Sequence, residues 1–270
     1  PDDVTRTLGL VPLGGIACLQ AGRKGLSEAP LVVVRNPTSS TSEAFRALRT
    51  NVQFASVDWP CCRLLVTSPT PSEGKSIVAA NLAAVFAQAG QPVVLVDSDL
   101  RRPTQHLLLD LSNKSGLTDS LLGEANPHIG QWLLPTPVEN LRLLASGQLP
   151  LNPSELLGSQ RMKQMIELLV QRADVVVFDS PPVLAVTDAA VLSRQVDGVL
   201  LVIEAGRTRK KHARRALEEL SQVDAPILGV VLNKIPVRGP GSYSDQYYRH
   251  YYSSGSGGSE NNSDAGNRRH

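Results

Sequence analysis

Gly74, Lys75 and Ser76 close the stretch TSPTPSEGKS, residues 67–76. Phosphate-binding loops follow the pattern GxxxxGK[ST]: backbone amides cradle the phosphates, the lysine reaches the terminal ones, and the hydroxyl ligates Mg²⁺. The three residues fit that pattern; the first glycine position holds Pro69 instead. The departure lies on the strand side of the loop. Pro69 and Pro71 remove donors only upstream, so the amides of Ser72, Glu73, Gly74, Lys75 and Ser76 remain for an anion, and Ile77 continues the same turn. Three carboxylates complete the set. Asp97 and Asp99 end VVLVDSDLRRP, and Asp179 ends VVVFDSPP. Two carboxylates can hold Mg²⁺ directly or through water, and a third can take a proton from an attacking hydroxyl. The alternative is local: Asp99 capping the helix after Pro103, or Asp179 capping a turn.

Such groups meet only if strands bring them to one edge. Short β-branched runs at 63–68, 92–97, 174–180, 198–205 and 227–233 read as strands, with a weaker one at 141–146. Helical patterns alternate with them: 42–54, from about Lys75, after Pro103, 153–172, from Thr187, and the basic stretch 207–222. Runs apolar on both faces, alternating with helices, predict an α/β fold with a mostly parallel sheet of the P-loop NTPase type and helices on both faces. In such sheets ligands bind beyond the carboxyl ends of the strands, where all three aspartates fall. The run LVVV before Asn36-Pro37 reads as extended. Three parts follow: an N-terminal segment 1–40, a nucleotide-binding domain 41–237, and a tail 238–270. The tail is too poor in apolar residues to order itself.

The chain has 270 residues, 41% hydrophobic and 19% charged, with a formal net charge of +2. That balance is no basic footprint, so no nucleic-acid partner is expected. Cys18, Cys61 and Cys62 do not make a disulfide framework and read as reduced thiols. The histidines show no metal-site spacing. No apolar run reaches the ~18 residues a membrane span needs. The chain opens on Pro1 and its methionines are Met162 and Met165, so it is expected to be a piece of a longer protein. All five tyrosines, Tyr243, Tyr247, Tyr248, Tyr251 and Tyr252, lie in the tail.

TSPTPSEGKS, VVLVDSDLRRP and VVVFDSPP resemble the Walker A, A′ and B motifs of the bacterial tyrosine kinases (BY-kinases), cytoplasmic domains of proteins controlling capsule and exopolysaccharide synthesis and export. SEAFRALRTNVQF resembles that family's ExxRxxR segment; NPSELLGS and GVVLNK fit as well. The opening DDVTRTLGLVPLGGIA resembles the segment just after the second membrane helix. The resemblance covers about residues 1–235, and the tail in character. It implies ATP and Mg²⁺, and autophosphorylation of the tyrosine cluster in trans within a ring-like homo-oligomer. Asp97, Asp99 and Asp179 inherit metal handling and proton acceptance; Asp97 is favoured as acceptor, and Ser76, Asp99 and Asp179 as the metal side. Further implied partners are the transmembrane part of the parent chain, a tyrosine phosphatase and the polysaccharide export machinery. The implied place is the cytoplasmic face of the bacterial inner membrane, this piece itself being soluble.

The ParA/MinD positioning ATPases share the fold and are the alternative. Their signature lysine stands five residues before the Walker A lysine, where this chain has Thr70. Nothing in that class accounts for the tyrosines. Glu43, Arg46 and Arg49 share a narrow helix face. By themselves they read as a solvated face with local ion pairs; the resemblance makes them a subunit contact. The basic stretch RTRKKHARRALEEL is a solvated face or a surface for phosphate or anionic lipid. Asn233 recognises an adenine edge or serves as a turn residue.

Overall fold

The computed structural model describes residues 5–6, 8–18, 31–55, 63–123 and 129–236. Eight strands form one sheet in the order β1-β8-β7-β2-β6-β3-β5-β4. They are β1 (Pro12–Ala17), β2 (Arg63–Thr67), β3 (Val93–Asp97), β4 (Leu133–Pro135), β5 (Leu141–Leu144), β6 (Val175–Asp179), β7 (Gly198–Glu204) and β8 (Ile227–Ile235). Every pairing is parallel except β4 with β5. Alternate strand residues serve opposite layers. Leu64, Val66, Leu95 and Val177 pack under α1 (Val32–Arg35), α2 (Ser40–Ala55) and α3 (Lys75–Gln88). Leu65, Val96, Phe178 and Leu201 pack under the opposite layer. That layer includes α5 (Leu117–Leu122), α7 (Gln160–Val170), α8 (Asp188–Ser193) and α9 (Lys210–Ser221). Among the described residues, the short helices α4 (Gln105–Leu109) and α6 (Pro153–Leu157) and a 3-10 turn at Ile129–Trp132 remain.

α3 is buried on nearly every side from Val78 to Ala87. Five alanines in that run give a thin, strongly helical rod that two neighbours can approach closely. It fixes the helix start, and hence the phosphate loop, against the centre of the sheet.

Three expectations change. LVVV is not extended: Val32–Arg35 is a helical turn. Polar partners override the β-branched propensity. The Val33 amide donates to Asn81 Oδ1 (3.2 Å), and the Ser42 hydroxyl donates to the carbonyls of Val32 (3.2 Å) and Asn36 (2.7 Å). The Gly-rich PLGGIA is a strand beside β8, and a Cβ on Gly14 would stand 3.2 Å from Leu48 Cδ1 of α2. A boundary at residue 41 therefore cuts off β1 and α1, which belong to the same sheet and core. The single helix read over 153–172 is two, α6 and α7; the Ser159 hydroxyl accepts from the Met162 amide (3.2 Å) and starts the second. The tyrosine tail, Cys61 and Cys62 lie outside the described residues. Among the described residues no helix is long and apolar enough to cross a membrane.

Candidate nucleotide and metal site

The loop between β2 and α3 is held open by its backbone. Ser72 (φ 68°) and Gly74 (φ 92°) are both left-handed. Alternating handedness turns successive amides toward one concavity, which suits an anion. Gly74 has a second reason to be glycine: a Cβ there would lie 2.2 Å from Asn233 Nδ2. That side-chain amide donates to the Glu73 carbonyl (2.8 Å), and Lys234 Nζ donates to the Ser72 carbonyl (2.5 Å) while pairing with Glu204 (2.8 Å). The last strand thus clamps the loop from outside. From inside, the Thr70 amide and hydroxyl both donate to Glu73 Oε1. Burial raises the Glu73 pKa, and those bonds oppose the rise. Neither role read for Asn233 from sequence describes this contact, which uses one N–H of its side-chain amide.

The sheet register gathers the acids. Asp179 of β6 lies opposite Asp97 of β3 and opposite Val66 at the end of β2. Asp97 and Asp179 are fully buried, and Asp99 nearly so. Lys75 folds back onto them, with Nζ 3.0 Å from Asp99 Oδ2, 3.5 Å from Asp179 Oδ1 and 3.1 Å from Ser76 Oγ. Burial works to lower the lysine pKa, but Asp179, Asp99 and Asp97 outweigh it and raise it. Burial, followed by repulsion from Asp179, lifts Asp97 well above the carboxylate range. Burial also raises Asp179, against the pull of Lys75.

The capping role weighed for Asp99 belongs to Asp97, whose Oδ2 accepts from the amides of Thr104 (2.9 Å) and Gln105 (2.8 Å) at the start of α4. Asp99 Oδ1 accepts from the Arg102 amide (3.0 Å). Asp97 Oδ1 and Asp179 Oδ1 are buried with no hydrogen-bond partner. Buried carboxylate oxygens left open beside one ammonium form an oxygen-rich set suited to a hard cation. Among the described residues no three acidic, His or Cys groups form a complete metal cage. Mg²⁺ does not require one, since it keeps several waters and shares its shell with nucleotide phosphates. The residues expected from sequence on the metal side, Ser76, Asp99 and Asp179, meet here around Lys75 Nζ, and Asp179 Oδ1 is open.

Sequence reasoning missed two groups. Gln105, fully buried at the start of α4, donates from Nε2 to the Ser76 carbonyl (3.0 Å) and to Asp179 Oδ2 (2.8 Å). Arg101 makes a two-pronged pair with buried Asp188 (2.9 and 3.0 Å), which also accepts from Ser154. That pair pins the segment carrying Asp99 to the start of α8. No spacing signal announces either; both act across elements far apart in sequence.

On α2, Arg46 pairs with Glu43 (2.7 Å) and donates to the Pro37 carbonyl. Arg49 donates to the Val85 carbonyl of α3 (3.1 Å). Within one chain this is the local ion pair expected of a solvated face, with Arg49 turned onto a neighbouring helix. Arg207 and Arg209 before α9, and Lys210, Lys211, Arg214 and Arg215 on it, are exposed.

Comparison with known proteins finds tyrosine-protein kinases among those most similar to the chain. A family model described as NUBPL iron-transfer P-loop NTPase (ParA) matches residues 63–260. The tyrosine-protein kinase YwqD of Bacillus subtilis is 41% identical over 215 residues, covering 80% of this chain and 90% of that protein. The tyrosine-protein kinase wzc of Salmonella typhimurium is 39% identical over 235 residues, 87% of this chain but 32% of that longer protein. The kinase domain of the Escherichia coli tyrosine kinase ETK superposes with a TM-score of 0.78 at 36% identity, covering 87% of this chain and 94% of that one.

Proposed function

The chain belongs to the bacterial tyrosine-protein kinase family, and on that premise we propose that it transfers the γ-phosphoryl group of ATP to the tyrosines of its own C-terminal cluster. The observation that carries this reading is Lys75 Nζ lying between Ser76 Oγ and the carboxylates of Asp99 and Asp179 at one sheet edge. In the transfer, Lys75 leaves the carboxylates for the terminal phosphates. The loop amides from Ser72 to Ile77 hold the phosphate chain. Mg²⁺, when bound, neutralises charge on the β- and γ-phosphates. Asp97 Oδ1 is open and its carboxyl has a raised proton affinity, which suits a group that takes the phenolic proton. The phenolic oxygen bonds to the γ-phosphorus as the bond to the ADP oxygen breaks, and the proton goes to Asp97. Incubation with γ-labelled ATP tests this: label on tail peptides supports it, whereas free phosphate without label favours a positioning ATPase.

The finer reading is that transfer runs in trans within a ring, at the inner face of a bacterial membrane, as a control on exopolysaccharide or capsule production. A tyrosine phosphatase and the export machinery are the partners it calls for. The long wzc relative supports attachment to a larger chain, since this chain matches only 32% of it. Subunit contact through Glu43, Arg46 and Arg49 has its own test. Arg46→Ala with Arg49→Ala shifts the mass toward monomer in light scattering. Because Arg49 also binds the Val85 carbonyl, and Arg46 the Pro37 carbonyl, each single variant is measured beside the double; an unchanged assembly in all three removes the contact.

A further inference from the structure

Gln105 touches three parts of the site at once. Its backbone amide donates to Asp97 Oδ2 at the end of β3. Its side-chain nitrogen donates to Asp179 Oδ2 at the end of β6 and to the Ser76 carbonyl in the first turn of α3. A primary amide has two N–H groups, so the nitrogen is fully used. Both partners are acceptors, which fixes which end of the amide is nitrogen. Its own Oε1 is buried without a partner. An unpaired buried oxygen costs stability, and an apolar chain of the same length would fill the space without that cost. The side chain is thus explained by its two donors rather than by its volume.

Those donors act on Asp179. The bond from Gln105 holds one oxygen of Asp179 and so fixes the plane of the carboxylate within the buried site. Oδ1 therefore stays on the side of Lys75, 3.5 Å away, with no hydrogen bond of its own. The second donor ties the same amide to the turn that carries the Ser76 hydroxyl. Resting on the nucleotide–metal reading above, we propose that Gln105 is a positioning residue for phosphoryl transfer. It fixes the rotation of the Asp179 carboxylate, so that the oxygen Gln105 does not hold faces the metal, in register with Ser76.

The test is the Mg²⁺ dependence of ADP binding, followed by calorimetry, in Gln105→Met and Gln105→Asn. The first keeps the length and removes both donors; the second keeps the amide but withdraws it from its acceptors. ADP binding without Mg²⁺ is measured for each variant as its own reference, because the same amide also holds the turn that carries Ser76. The Mg²⁺ concentration that half-maximally strengthens binding rises about 10–100-fold, the usual loss when a group orienting a metal ligand is removed. Thermal unfolding is measured alongside; should the methionine variant not fold, the asparagine variant decides. A folded variant with wild-type Mg²⁺ half-saturation overturns the proposal, whatever its melting temperature, and leaves Gln105 a packing residue. If wild-type protein itself shows no Mg²⁺-strengthened ADP binding, the reading of the site fails instead.

Discussion

Replacing Lys75 by methionine lowers tyrosine phosphorylation by a factor on the order of 10²–10³ or more, the cost of removing one preorganised charge from a charged transition state. Sequence alone predicts a fold left untouched. The structure adds a second effect, because Lys75 is the ammonium that Asp99 and Asp179 face. Without it three buried carboxylates lose their nearest cation. Breaking a buried ion pair costs about 3–5 kcal/mol when the remaining charge stays ionised. Asp97 and Asp179 already hold protons more readily than ordinary carboxyls, so proton uptake keeps the cost below that range. Nucleotide-free Lys75→Met protein therefore melts several degrees lower than wild type, at about 2–4 °C per kcal/mol for a domain of this size. Mg²⁺ alone restores more of that loss than it adds to wild type, since no lysine competes for the carboxylates. Scanning calorimetry with and without Mg²⁺, beside a γ-labelled ATP assay, reads both effects. Normal labelling would remove Lys75 from the mechanism, and an unchanged melting temperature would remove it from the charge balance.

Deleting the chain after Arg238 leaves ATP binding at the wild-type level and abolishes nearly all incorporation of phosphate. The deletion removes all five tyrosines and none of the described site residues. Tyrosine has a pKa near 10, so its hydroxyl needs an acceptor and in-line placement to attack ATP. A clustered tail can offer several tyrosines in turn to one site, and a tyrosine fixed in a core could not travel there. Each phosphate adds about −1.5 to −2 charges, so five add roughly −8 to −10. That overwhelms a net charge of +2. On the proposed reading of transfer in trans within a ring, tails at subunit contacts then repel, and light scattering is expected to follow the assembly loosening as labelling proceeds. Labelling of the truncated chain at full strength would show that the tail is not the substrate.

The strands bearing Asp97 and Asp179 were legible because β-branched runs ending in acids carry both the element and the site. The GKS turn was legible because strand, loop and helix follow without a gap. What stayed hidden was long-range. Val32–Arg35 turns helical through Asn81 and Ser42, side chains that no local window connects to it. PLGGIA joins the sheet because its partner β8 lies more than 200 residues on. Gln105 and the Arg101–Asp188 pair act by contact, and composition carries no trace of contact. Even the acids were only half read. Their convergence followed from strand ends, but which one caps α4 depended on the rotation of a single carboxylate.

The clamp on the phosphate loop has a consequence for how the protein is made. Glu73 is gripped by a residue 160 positions later, and β1 docks on the same late strand. During synthesis the loop and all three carboxylates leave the ribosome well before Asn233 and Lys234. Contacts of such sequence separation form late and slowly. A chain stopped after Pro226 lacks both clamps, and in equilibrium dialysis it binds ADP more weakly than the chain stopped after Arg238; equal binding would mean that the loop holds its shape unaided. The clamped form of the loop then waits for the last strand of the sheet. On the proposed reading, the phosphate loop reaches its clamped form before the tyrosine cluster emerges.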